Sequence, residues 1–114
     1  MAIAFDATSS GSSGGASSIT FAHTCTGSNR VLFVTVIGEV IPSITGVTYA
    51  GVAMTQVGSS VSGGGSRSIH LFYLDNPASG ANNVVVSSSP SGFMSAVSSS
   101  YTGFPWGYFR QFHH

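Results

Sequence analysis

No stretch of this chain repeats its apolar residues every three to four positions over a useful length, so an amphipathic helix has nowhere to form. Val, Ile, Thr, Phe and Tyr come instead in short runs, cut by Gly, Ser, Asn and Pro. Alternating runs of this kind between turn formers are the pattern of an all-β domain. The strongest is Arg30–Ile37, with Val31, Phe33 and Ile37 on one face and Leu32, Val34 and Val36 on the other. Apolar residues on both faces predict a central strand covered on both sides, by a second sheet or by a neighbouring subunit.

The remaining runs place the other strands. Ala2–Phe5 is followed by the Ser/Gly-rich Thr8–Ser17, which reads as a loop, and then by a strand at Ser18–Thr24. Pro42 and Gly46 bracket a connection into Val47–Tyr49, and Ala50-Gly51 makes a tight turn into Val52–Val57. Gly58–Ser66 reads as a second loop, ahead of a strand at Ser68–Leu74 and a turn at Asp75-Asn76-Pro77. Asn83–Ser87 and Phe93–Tyr101 complete the set, separated by Ser88–Gly92. The spacing predicts a two-sheet antiparallel β-sandwich, jelly-roll-like, of about eight short strands over residues 1–103.

Residues 104–114 break with this pattern, holding five aromatics in nine residues: Phe104, Trp106, Tyr108, Phe109 and Phe112. Each large aromatic ring gains roughly 1.5–3 kcal/mol on burial. The segment therefore either caps its own sandwich or docks on another copy or a host scaffold, and docking is the sharper expectation.

Charge narrows the setting. Only six of the 114 residues are charged, and the formal net charge is zero. Soluble domains usually keep about a quarter of their residues charged, so this composition suits a subunit whose surface is engaged in an assembly. There is no basic stripe to follow a phosphate backbone and no acidic tract, so nucleic acid is not an expected partner. The longest apolar stretch, Val31–Ile41, is interrupted and shorter than the roughly 20 residues a membrane helix needs; no membrane partner is expected. The first residues show no basic leader with a long apolar segment, so no secretory signal is expected. Cys25 is the one cysteine, which excludes an intramolecular disulfide and reads as a small buried side chain.

Three stretches carry a resemblance. They are Phe5-Asp6-Ala7 with the following Ser-rich loop and Ser18–His23, Thr45–Thr55 with its pattern V-T-Y-x-G-V-x-M-T, and Leu71–Val86 with N-P-x-x-G before a Val-rich strand. Together they resemble a small β-sandwich module that recurs in bacteriophage virion proteins and large bacterial surface proteins, over about Ala2–Gly103. The shared residues are turn formers and core positions. The resemblance implies a fold and a structural setting and carries over no catalytic residue. Such modules usually continue with further β segments after the strand ending at Tyr101-Thr102-Gly103; here the aromatic segment stands in their place. That departure implies sheet edges or an open core completed by another copy or another protein.

The residues themselves give no expectation of a catalytic, cofactor or metal site. A G-x-S-x-G elbow is absent, no His/Cys spacing matches a zinc site, and Gly63-Gly64-Gly65 lacks the Lys-Ser/Thr of a phosphate loop. His23 and His70 read as satisfied or solvent-facing strand residues, and Asp75-Asn76-Pro77 as a turn rather than a calcium site. The expectation is therefore a non-enzymatic virion subunit. It is a capsid decoration (cement) protein on the outer surface of a phage head, a homo-oligomer such as a trimer, in contact with the major capsid protein and docked through Phe104, Trp106, Tyr108, Phe109 and Phe112. Two alternatives stand beside it. One is a fibre subunit that polymerises by strand complementation; the other is a glycan-binding tail-fibre module using Tyr101, Trp106 and Tyr108.

Overall fold

The computed structural model describes residues 3–39, 43–57, 61–62 and 67–103. The aromatic segment proposed for docking, Phe104, Trp106, Tyr108, Phe109 and Phe112 included, lies outside the described residues, as do His113 and His114. Among the described residues there are eight strands and no helix. They are β1 (Ala4–Cys25), β2 (Val31–Glu39), β3 (Ser43–Tyr49), β4 (Val52–Ala53), β5 (Thr55–Gln56), β6 (Val61–Ser62), β7 (Arg67–Asp75) and β8 (Gly80–Thr102).

The expected antiparallel β-sandwich is present, but its strands are not uniformly short. β1 has 22 residues and β8 has 23, against a usual strand of about 5–6. The two run antiparallel along nearly their whole lengths, from Ala4↔Thr102 to Cys25↔Gly80. β3 pairs with residues 84–89 of β8, and β2 with residues 94–101 of the same strand. One sheet is therefore β1–β8–β3–β4, built from the second half of β1 and the first half of β8. The other is β1–β8–β2–β7, built from the opposite halves, with β5 and β6 paired to β7.

The long strands change sheets where their register breaks. Between Ala16↔Gly92 and Ser18↔Ser87, residues 88–91 of β8 stand opposite the single residue 17 of β1. An excess of this kind bends a strand sharply, and it accommodates Pro90, which has no N–H to give to a ladder. The sequence reading that made loops of residues 8–17 and 88–92 is corrected here. Ser and Gly have little strand preference of their own, but β8 supplies the backbone partners that those residues of β1 need.

Alternate residues of both sheets meet in one core of Ile19, Cys25, Leu32, Val34, Val36, Val47, Tyr49, Met54, Phe72, Val84, Val86, Met94 and Ala96. The β3–β4 turn has the expected two-residue form, with Tyr49 opposite Val52. Both turn residues take positive φ, 52° at Ala50 and 79° at Gly51, which is the geometry that lets a two-residue turn follow strand twist. Met54 N–H then bonds Val47 O at 2.9 Å and Val57 N–H bonds Leu71 O at 2.8 Å, so this segment crosses from one sheet to the other with Met54 in the core. Arg30 locks the end of the sandwich, donating to Pro77 O at 2.8 Å and Gly27 O at 2.7 Å.

Gly11 marks where the two halves of β1 come closest. A Cβ there would lie 2.6 Å from Phe21 Cδ1 and 2.9 Å from Ile19 Cγ2, inside contact distance. Gly11→Val is expected to lower stability by about 1–3 kcal/mol through overpacking, read as a lower urea midpoint. An unchanged midpoint would show that the sheets stand farther apart at this point.

Candidate functional site

Two groups of side chains lie outside the ordinary apolar core, one buried and one at the surface. The buried group starts from strand alternation in β1, which turns Ile19, Phe21, His23 and Cys25 inward in succession. An imidazole on such a face must find polar partners or forfeit about 1–3 kcal/mol. His23 is 1% exposed and finds two: Nε2 lies 2.8 Å from Ser100 Oγ and Nδ1 lies 2.7 Å from Ser98 Oγ. Both serines are wholly buried and come from the half of β8 that belongs to the other sheet. Ser100 Oγ–H donates to Asp6 Oδ2 at 2.8 Å, and Asp6 also accepts from the Thr26 N–H at 2.9 Å and from the Thr26 hydroxyl. Tyr49 O–H donates to the His23 carbonyl at 2.7 Å.

Distances and burial together set the states. Ser100 gives its proton to Asp6, so its oxygen accepts Nε2–H from His23; the Ser98 hydroxyl lies 2.7 Å from Nδ1 and 3.4 Å from the Ser9 carbonyl, and the shorter contact makes Nδ1 its acceptor. The imidazole is neutral and the carboxylate ionised. Burial holds the His23 pKa below its usual value of 6.5, opposed by the nearby Asp6 charge. Burial by itself raises the Asp6 pKa, but hydrogen bonds from Thr26 and Ser100 and the proximity of His23 bring it below 3.8. Burial pushes the Cys25 thiol up and the Tyr49 hydroxyl up to about 12.

The set contains Ser, His and Asp but not in a nucleophilic order, because the carboxylate binds Ser100 and not the imidazole. Ser98 and Ser100 have no exposed surface, so neither hydroxyl can meet a substrate. What the arrangement does is join the two sheets by hydrogen bonds while leaving no buried side-chain donor or acceptor unpaired among the described residues. Sequence reasoning expected a satisfied or solvent-facing imidazole at His23; it is the satisfied one. It missed the network, whose one signal was His23 at the inward positions of an otherwise apolar face. Among the described residues no three His, Cys, Asp or Glu side chains converge as a metal site would need.

The surface group lies on the outer face of the larger sheet. Val31, Phe33 and Ile37 of β2 point there, as the alternation predicts, beside Ile69, Leu71 and Tyr73 of β7 and Val97, Ser99 and Tyr101 of β8. Val31 is fully buried beneath this layer and apart from the main core. Tyr101 stands edge-on to Phe5 and to Phe33, with ring centroids 6.0 and 6.2 Å apart. Ile3, Val31, Phe33, Leu71, Ser99 and Tyr101 line a shallow, open groove of about 400 Å³. Ile3, Phe5, Ile37, Ile69 and Val97 around it remain 40–62% exposed. Single exposed apolar residues are ordinary, whereas these form a contiguous set. Of Tyr101, Trp106 and Tyr108, weighed as a sugar platform, Tyr101 belongs to this layer, and Trp106 and Tyr108 lie outside the described residues.

Comparison with protein-family models, with curated proteins and with solved structures finds no match for this chain.

The buried network makes stability depend on acidity. His23 has a folded pKa below 6.5, so the unfolded chain takes up the proton first. Stability is complete above about pH 6.5 and declines as pH falls toward the folded value, and Asp6 adds a second loss below pH 3.8. Half-buried His70, also lowered by burial, acts in the same direction. The urea midpoint of a His70→Gln variant is expected to drop between pH 7.5 and pH 5; a flat profile would mean that His23 is not held neutral by burial.

Proposed function

We propose that this chain is a structural, non-enzymatic assembly subunit: a capsid decoration protein held on the outer surface of a phage head. The observation that carries the proposal is the uncovered apolar face of the larger sheet. β2 is a central strand with large apolar side chains on both sides; its inner side is buried, while on its outer side only Val31 is buried, Phe33 is half-buried and Ile37 is exposed. A second sheet meets the inner side; the outer side calls for another molecule.

Composition supports the same reading. Two of the chain's six charged residues, Asp6 and Arg30, are committed to hydrogen bonds within the fold. Little charge is left to keep the surface apart from other proteins, which suits a subunit with permanent neighbours. The virion setting comes from the resemblance of the hairpin and turn motifs to phage β-sandwich modules. Mechanistically, each copy of a homo-oligomer such as a trimer adds a modest apolar contact to the major capsid protein. Repetition over a lattice turns weak contacts into strong retention. Phe104, Trp106, Tyr108, Phe109 and Phe112 provide a second docking element in this proposal.

Capsid shells stripped of decoration protein test it. The wild-type chain is expected to co-sediment with them. Phe33→Ser combined with Ile37→Ser, and separately a chain ending at Gly103, are expected to lose at least tenfold in retention while keeping a β-type circular dichroism spectrum. A wild-type chain left in the supernatant would overturn the proposal.

A further inference from the structure

The second feature that reaches beyond this molecule is an edge. Among the described residues β1 pairs with β8 alone, while β8 carries β1 on one side and β2 and β3 on the other. The opposite edge of β1 therefore borders both sheets with no strand partner among the described residues. Proteins ordinarily protect such an edge with Lys, with Pro or with a short strand. β1 has 22 residues, no Pro, no Lys and no Arg, and its one charged side chain, Asp6, is bonded to Thr26 and Ser100.

From this we infer that residues 7–13 of β1 form a self-complementary edge, which pairs antiparallel with the same residues of a second copy about a two-fold axis at Ser10. The register follows from the irregularities of the strand. Its pairing with β8 shifts between Phe5 and Ala7 and again between Ser13 and Ala16, and is regular from Ala7 to Ser13. Ser10 is the midpoint of that regular stretch. Turning the segment about Ser10 sets Thr8 against Ser12 and Ser9 against Gly11, so no bulky side chain meets another. Thr8, Ser10 and Ser12 are exposed and share the outer face with their β8 partners Ser99, Val97 and Ser95.

A second copy is the occupant because its edge matches in every respect that decides strand addition. Length and direction agree by symmetry, the side chains are small, and no ionised group in the segment opposes its mate. The formal net charge of zero leaves no long-range repulsion between copies. The product is one sheet continuous through two molecules, with the apolar outer faces of both on the same side. The pairing stands independently of the capsid proposal. If both hold, two-fold contacts of this kind connect neighbouring oligomers across a shell.

Ser10→Cys tests the register. Residues opposite each other across antiparallel strands have Cβ atoms about 4.5–5.5 Å apart, close enough for a disulfide with slight adjustment. Native Cys25 is fully buried and does not compete. Under mild air oxidation Ser10→Cys is expected to form a covalent dimer at least tenfold faster than a control cysteine at exposed Thr45. In sedimentation equilibrium, Ser10→Lys, which sets two like charges face to face, is expected to weaken self-association at least tenfold. Phe33→Ser is expected to leave that association intact while weakening retention on shells. The inference is overturned if Ser10→Cys cross-links no faster than the control, or if Ser10→Lys associates as tightly as the wild type. Loss of association in Phe33→Ser would also overturn it, by assigning the contact to the sheet face.

Discussion

His23 sits on the half of β1 that belongs to one sheet and hydrogen-bonds two serines on the half of β8 that belongs to the other. The position of the two layers depends on this bridge. Apolar contacts hold sheets together without dictating their register, since a shift by two residues still presents apolar side chains inward. Hydrogen bonds at 2.7 and 2.8 Å to both ring nitrogens tolerate no such shift. Asp6 and Thr26 extend the constraint to the start of β1 and to the loop before β2, and Tyr49 extends it to β3. A buried network is costly if any member is unpaired, and here each member is paired.

With the layers fixed from within, the outer surfaces acquire their character from what remains. β2 lies at the centre of the larger sheet and spends half of its apolar residues on the core, leaving Phe33 and Ile37 outside with Leu71, Ile69, Val97 and Tyr101. Among the described residues β1 is paired on one side only and leaves a long edge without Lys or Arg. Face and edge adjoin, because Phe5 near the start of β1 packs edge-on against Tyr101. A chain with six charged residues has little means of keeping either surface solitary. The fold thus gathers the uncharged surface of the described residues into one face and one edge.

Much of this was legible in the residues. The period-two run at 30–37 announced β2 and the division of its two faces. Ala50-Gly51 and Asp75-Asn76-Pro77 announced turns, and Asn76 indeed takes a positive φ of 54°. Residues 8–17 misled because Ser and Gly have weak local preferences, so a strand there exists only through its distant partner, β8. The same holds for residues 88–92, where a register excess carries the chain around a corner while its backbone stays paired. His23, Ser98, Ser100 and Asp6 were each visible as polar residues, but their meeting depends on contacts across 75 to 94 positions, which no local pattern encodes.

Residue-resolved amide hydrogen exchange in dilute solution is the most direct test, because it reads the strand and its edge together. The account predicts alternation along residues 8–12 and 18–24: amides bonded to β8 exchange slowly, and those between them, facing the open side, exchange fast. Raising the concentration should slow the fast amides of 8–12. Uniformly fast exchange through residues 8–17 would contradict the account, since β1 would then be a loop and neither the pinned sheets nor the edge would exist as described.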